Sequence, residues 1–270
     1  MKQSSLIILM LLFFDGCGMM GSSSDSSRSE PASDATAAEA APTALSGSGK
    51  GGSRAKFAIS GDYLYTINGV EMNVFDIQDA SEPQKASKVH LPWDVETLFS
   101  YKEYLYIGSS SGMYIYDNSI PIQPTHLTDF THAQSCDPVV VSDDIAFVTL
   151  NTRSCWSPNN DTNRLEIINV QNPETPELIG TVEMWSPTGL GVDGSNLFIC
   201  DGDSGLKIFD INRSEENGTV DVVVNIKESY GEINCYDLIA YEENLIVSNH
   251  DEIRQFDYSS FPMEEMGRIK

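Results

Sequence analysis

The chain has 270 residues, 40% of them apolar, and a formal charge of −24. That length suits one or two domains, and the apolar content is enough for a substantial core. The acidity argues against nucleic acid and anionic lipid faces as partners, because the phosphate attraction that drives such binding turns repulsive, and it suits a solvated, extracytoplasmic surface.

Residues 1–16 read as a lipoprotein-type signal peptide. Lys2 supplies the positive start, and Leu6 to Phe14, LIILMLLFF, is an unbroken apolar run. It is shorter than the ~20 residues a bilayer span needs but right for a signal core. Gly16 precedes Cys17, and a small residue before such a cysteine resembles a bacterial lipoprotein signal, with Cys17 lipidated after cleavage. Phe14 and Asp15 stand where that pattern has Leu and a small residue, so ordinary secretion and an uncleaved anchor are the other readings. Residues 17–54 are Ser, Gly, Ala and acidic residues without apolar periodicity. Such a stretch cannot bury enough surface to offset its conformational entropy and is expected to be a disordered tether.

Residues 55–270 repeat one unit. Each copy is four short runs of apolar and β-branched residues broken by turn residues, as in YLYTI and MNVFDI, YLYIG and MYIYD, or NLFIC and LKIFDI. The third runs end at Asp76, Asp117, Asn169, Asp210 and Asp257, a spacing of roughly 40 to 50 residues. Four strands at that period predict an all-β fold: a five-bladed β-propeller of four-stranded antiparallel blades. The stretch at about 151–163 is an insertion between the second and third runs of copy three. With five complete copies and no spare N-terminal strand, the expected closure is ordinary packing of copy one against copy five.

The phrases MNVFDIQDASEP, MYIYDNSIPIQP, LEIINVQNPETP and LKIFDINRS resemble the LVIVD repeats of bacterial β-propellers. GKGGSRAKFAIS, SCDPVVVSDDIAFVTL and GLGVDGSNLFICDGDSGLKIFD are similar to lipoproteins of that family from Bacteroidetes-type bacteria. The resemblance covers nearly all of Gly49–Lys270. It implies a propeller and a lipid-anchored address at the outer membrane or cell surface, or else a periplasmic one; it implies no reaction.

In a propeller the loops before the first strand of a blade and between its second and third strands share one face. That rule puts Cys136, Cys155, Cys200 and Cys235 on one face. Export permits disulfides. Cys136–Cys155 is the favoured pair and would tie down the insertion. Cys200 and Cys235 are either a second pair between neighbouring copies or two buried small hydrophobes. Trp93, Trp156 and Trp185 fall on the same face, as do Asp137, Asp201, Asp203 and Tyr236. Aromatic residues there make a binding surface or, alternatively, plug the channel or pack between blades. Asp193, Asp201 and Asp203 are a weak Ca²⁺ set lacking a distal bidentate Glu; a Gly/Asp hairpin turn is the favoured account of them. The histidines have no metal spacing, and no catalytic constellation, cofactor fingerprint or other metal motif is present.

The expected function is a membrane-tethered, non-enzymatic binding or scaffold propeller presenting its Trp- and Cys-rich face to a protein or glycan. The alternatives are an extracytoplasmic hydrolase or lyase acting at the propeller mouth, and a structural role in a cell-surface assembly.

Overall fold

A computed structural model describes residues 52–132, 138–152 and 162–270. Within these residues twenty strands form five antiparallel sheets, each in chain order. Blade one is β1 (Phe57–Ser60), β2 (Tyr63–Asn68), β3 (Glu71–Asp76) and β4 (Gln84–His90). Blade two is β5 (Val95–Tyr101), β6 (Tyr104–Ser109), β7 (Gly112–Asp117) and β8 (Thr125–Thr131). Blade three is β9 (Val139–Ser142), β10 (Ile145–Asn151), β11 (Asn163–Asn169) and β12 (Glu177–Glu183). Blade four is β13 (Leu190–Asp193), β14 (Asn196–Cys200), β15 (Leu206–Glu216) and β16 (Thr219–Tyr230). Blade five is β17 (Asp237–Tyr241), β18 (Asn244–Ser248), β19 (Ile253–Asp257) and β20 (Glu264–Ile269). The first strand of every blade lines the axis. The five-bladed, all-β fold expected from the repeats is the fold observed.

Local chemistry repeats with the blades. The hairpin joining the first two strands turns through left-handed backbone at Gly61, Lys102, Asp143 and Asp144, Gly194, and Glu242 and Glu243, the geometry that matches the twist of the flanking strands. The residue closing the third run accepts a backbone N–H two residues on: Gln78 to Asp76 at 2.9 Å, Ser119 to Asp117 at 2.8 Å, Gln171 to Asn169 at 3.0 Å and Ser259 to Asp257 at 2.8 Å. That bond starts each turn to the outer strand. Blade four departs from this pattern. Its Asp210 pairs with Lys227 at 3.0 Å, and β15 and β16 run on as a long hairpin to a turn at Asn217 and Gly218. Near its tip Val220 and Val222 are buried against Ile145, Phe147, Leu165 and Ile167 of blade three.

Core packing lies between blades. One apolar cluster joins blades one and two, a second joins two and three, a third joins three and four, and a fourth joins four and five. Among the described residues no cluster joins five to one, so the closure expected from the sequence is not made by core packing. Burial shows the same break. In β10 every residue is buried, and in β6 all but the first. Burial alternates instead along β2 and β18. A strand packed on both sides is buried throughout, and one packed on one side alternates. What ties the ends together is a lead-in at one mouth of the axis. Ser53, only 2% exposed, accepts the Leu190 N–H at 2.8 Å and donates to Asp237 Oδ1 at 3.3 Å. The Ala55 carbonyl accepts the Leu98 N–H at 2.9 Å. Ser53, which composition assigns to the tether, is therefore held against blades four and five, and Ala55 next to it against blade two. Among the described residues no helix is long and apolar enough to cross a membrane.

Candidate functional site

The mouth at which this lead-in lies is the face on which the sequence places Trp93, Trp185, Tyr236 and Asp201. Trp93 stands in the loop before β5 and is 81% exposed; Trp185 stands in the loop before β13 and is 50% exposed. Neither plugs the channel nor packs between blades. Tyr236, just before β17, lies between the Arg54 guanidinium, 4.5 Å from its ring centre, and the His250 ring at 5.3 Å. Trp156, Cys136, Cys155, Asp137 and Cys17 lie outside the described residues, as does the favoured Cys136–Cys155 pair. Cys200 and Cys235 form a disulfide, with Cα atoms 5.3 Å apart, between the second strand of blade four and the loop entering blade five.

Asp201 is fully buried. One oxygen accepts the N–H groups of Trp185 at 2.9 Å and Ser186 at 2.8 Å, and the other pairs with the Lys207 ammonium. It therefore holds the loop that carries Trp185. Asp203 is exposed in the adjacent 3-10 turn, Gly202–Ser204. Asp193 lies at the opposite end of its strand, beside the β13–β14 hairpin, and accepts the Tyr258 hydroxyl at 2.5 Å. The three carboxylates of the weak Ca²⁺ set thus point to two faces and do not converge. Among the described residues no group of three acidic, His or Cys side chains could hold a metal.

The structure adds residues that motif reading missed. Burial pushes the Asp237 carboxyl above its ordinary range, against the opposing pull of the Leu238 N–H, Arg54 and Ser53. Glu96, in β5, is also raised by burial, with Arg54 and Lys56 pulling the other way. Asp94 beside it is pushed up by burial too, but hydrogen bonds from Ser111 at 2.6 Å, Tyr114 at 3.1 Å and Ser110 at 3.2 Å win and hold it low. The mouth therefore offers exposed aromatic rings, one guanidinium, and two carboxyls that protonate more readily than usual. The signal for these residues was weak: Ser53 and Arg54 carry tether composition, and Glu96 and Asp237 are single acids within strands. Along the axis the five inner strands line an apolar cavity of about 230 Å³, with Leu98, Val140, Leu190 and Leu238 among its lining residues and Tyr101 and Ser142 toward the far mouth.

A family model described as the LVIVD repeat matches residues 51–90, the first blade. No curated protein matches the chain. Among solved structures, the chain is similar to apo AztD from Citrobacter koseri, at 12% identity and a TM-score of 0.56 over 78% of this chain and 60% of that one. It is similar to a putative 6-phosphogluconolactonase from Bacteroides fragilis, at 14% identity and a TM-score of 0.57 over 79% and 69%. It is also similar to the periplasmic gluconolactonase PpgL of Pseudomonas aeruginosa, at 14% and 0.54 over 78% and 67%. At such identities the likeness is one of fold. The chain spans 60% of the length of AztD and somewhat more of the other two.

Proposed function

We propose that this chain is an extracytoplasmic, membrane-tethered binding propeller that recognises a glycan or protein at the face bearing Trp93 and Trp185. One observation carries the reading: two tryptophans stand largely in solvent, and a buried carboxylate, Asp201, is spent on holding the loop of one of them. Exposed indole rings fixed by the fold are anchors for binding rather than core. A glycan fits first, because sugar C–H faces stack on indole and the carboxyls nearby accept sugar hydroxyls; a protein surface with an apolar centre is the other partner. The lipid anchor at Cys17 and the tether supply the address. A glycan array and cross-linked pull-down from membranes identify the partner. Trp93→Ala with Trp185→Ala should then weaken binding about 100-fold, two aromatic anchors being lost, with an unchanged circular dichroism spectrum. Unaltered binding by the double variant refutes the face.

A second reading, hydrolysis at the same mouth, draws on the raised carboxyls Asp237 and Glu96 and on two similar structures named as a putative 6-phosphogluconolactonase and a gluconolactonase. Groups with shifted pKa values in a cleft are candidates for acid–base work. The assay is lactone hydrolysis by the wild-type chain and Asp237→Asn; turnover that the variant abolishes would replace the binding reading with an enzymatic one.

A further inference from the structure

The axial cavity measures about 230 Å³, and Phe57, Phe99 and Tyr101 stand among its lining residues with Leu98, Val140 and Leu238. An apolar cavity of roughly 150 Å³ stays dry and takes up benzene, so this one has room for a ring with a short chain. Its far end is set where the inner strands end, at Tyr101, Ser142, Gly194 and Ala240. The hairpins that follow carry acids: Glu103, Asp143 and Asp144, and Glu242 and Glu243, with Asp193 beside Gly194. The cations nearby are already engaged. The Lys102 ammonium pairs with Asp144 at 2.5 Å, and Arg213 donates to the Asp143 carbonyl. Glu103, Glu242 and Glu243 are exposed, and among the described residues none of the three is in an ion pair. At the lead-in mouth the charges are mixed, since Arg54 offsets both Asp237 and Glu96. The one-sided field therefore lies at the far mouth, directly outside an aromatic-lined apolar space.

We propose that this cavity takes a small organic cation, a primary amine on an aromatic or aliphatic body, entering at the far mouth. The body fills the apolar space against the three aromatic residues and the aliphatic lining. The ammonium stays at the rim, because a charge buried without a partner among Leu98, Val140 and Leu238 is costly. There the hairpin acids attract it, and aromatic rings in the lining favour a cation over an anion. A carboxylate on the same body meets those acids as repulsion, and a neutral alcohol gains the apolar contact alone. The site lies at the opposite end of the axis from Trp93 and Trp185 and stands independently of the glycan reading.

Isothermal titration of the full chain at low salt and near-neutral pH compares 2-phenylethylamine, 2-phenylethanol and 3-phenylpropionate, similar bodies with positive, neutral and negative ends. The amine should bind at least about ten-fold more tightly than the alcohol, and the carboxylate should bind least. Raising salt to about 0.5 M should shrink that difference. Glu242→Gln with Glu243→Gln changes two exposed turn residues; it should weaken the amine about three-fold and leave the alcohol unchanged. Ile239 is a half-buried lining residue, and Ile239→Trp should abolish binding of amine and alcohol together by filling the cavity. Circular dichroism matching the parent separates a filled cavity from a lost fold, and the glutamine pair tests the rim without touching the core. An amine that binds no better than the alcohol, or as well to a folded Ile239→Trp chain, overturns the proposal. So does a wild-type chain that binds none of the three at about 10 mM.

Discussion

Asp201 shows how a turn residue can govern a binding surface. Its carboxylate pairs with Lys207, which is 19% exposed, and caps two backbone N–H groups of the Trp185 loop. Asp201→Ala would leave the ammonium half-buried without its partner and two donors without an acceptor, so a loss of about 3 kcal/mol is expected in urea unfolding. Asp237 behaves in the opposite sense. Burial raises its carboxyl above 3.8, so the folded state disfavours the charged form. Its contribution is therefore most favourable below pH 3.8 and declines as pH rises through the raised value. Asp237→Asn should stabilise the protein at about pH 7, and its advantage should shrink as pH falls toward 3.8; a difference independent of pH in thermal melts would count against this. Of these two residues the sequence singled out only the first, as a turn residue on the candidate face. Burial depends on what neighbouring blades place around a side chain, and single-strand patterning does not carry that.

At the scale of elements, the hairpins and turns were the most legible part of the chain. Asp and Asn at the ends of the third runs announced turns, and four of them make the side-chain bond that such turns use. Blade four broke the pattern because Asp210 has Lys227 across the sheet, which lets the strands continue. In the same blade Gly205 has φ of +77°, and a Cβ there would lie 2.2 Å from the Tyr230 carbonyl oxygen. Gly205→Ala should cost about 2 kcal/mol or more, read from the denaturation midpoint. The Cys200–Cys235 bond closes a separation of 35 residues. The chain-entropy model gives it about 4 kcal/mol, so reduction, or Cys235→Ser, should lower stability by an amount of that order. The sequence left that pair open because its reach depends on the spacing of two blades, whose Cα atoms here come to 5.3 Å.

For the whole molecule, the lead-in and the closure of the ring matter most. Ser53 holds the fourth and fifth inner strands to the start of the first blade, over an apolar cavity. Ser53→Ala would orphan the buried Leu190 N–H and should cost about 1–2 kcal/mol; hydrogen exchange at that amide should quicken relative to wild type. Composition assigned this segment to the tether, since Gly, Ser and Arg carry no periodic signal and its order comes from the blades it touches. The expected packing of copy one on copy five failed for a related reason. Repeats specify the faces of blades, but whether five wedges close depends on the angle each adds, and that angle is set by packing.

The sequence by itself determined the repeat, the four strands in each copy, the turn chemistry and the face on which the odd residues fall, because these follow from local alternation and from the antiparallel order of strands in a blade. Tertiary structure alone decided which carboxylates are buried, which cysteines meet among the described residues, that Ser53 ties the fourth and fifth inner strands to the start of blade one, and that, among the described residues, no core packing joins blade five to blade one. Each of these depends on distances between segments far apart in sequence, and those distances come from how the blades pack about the axis.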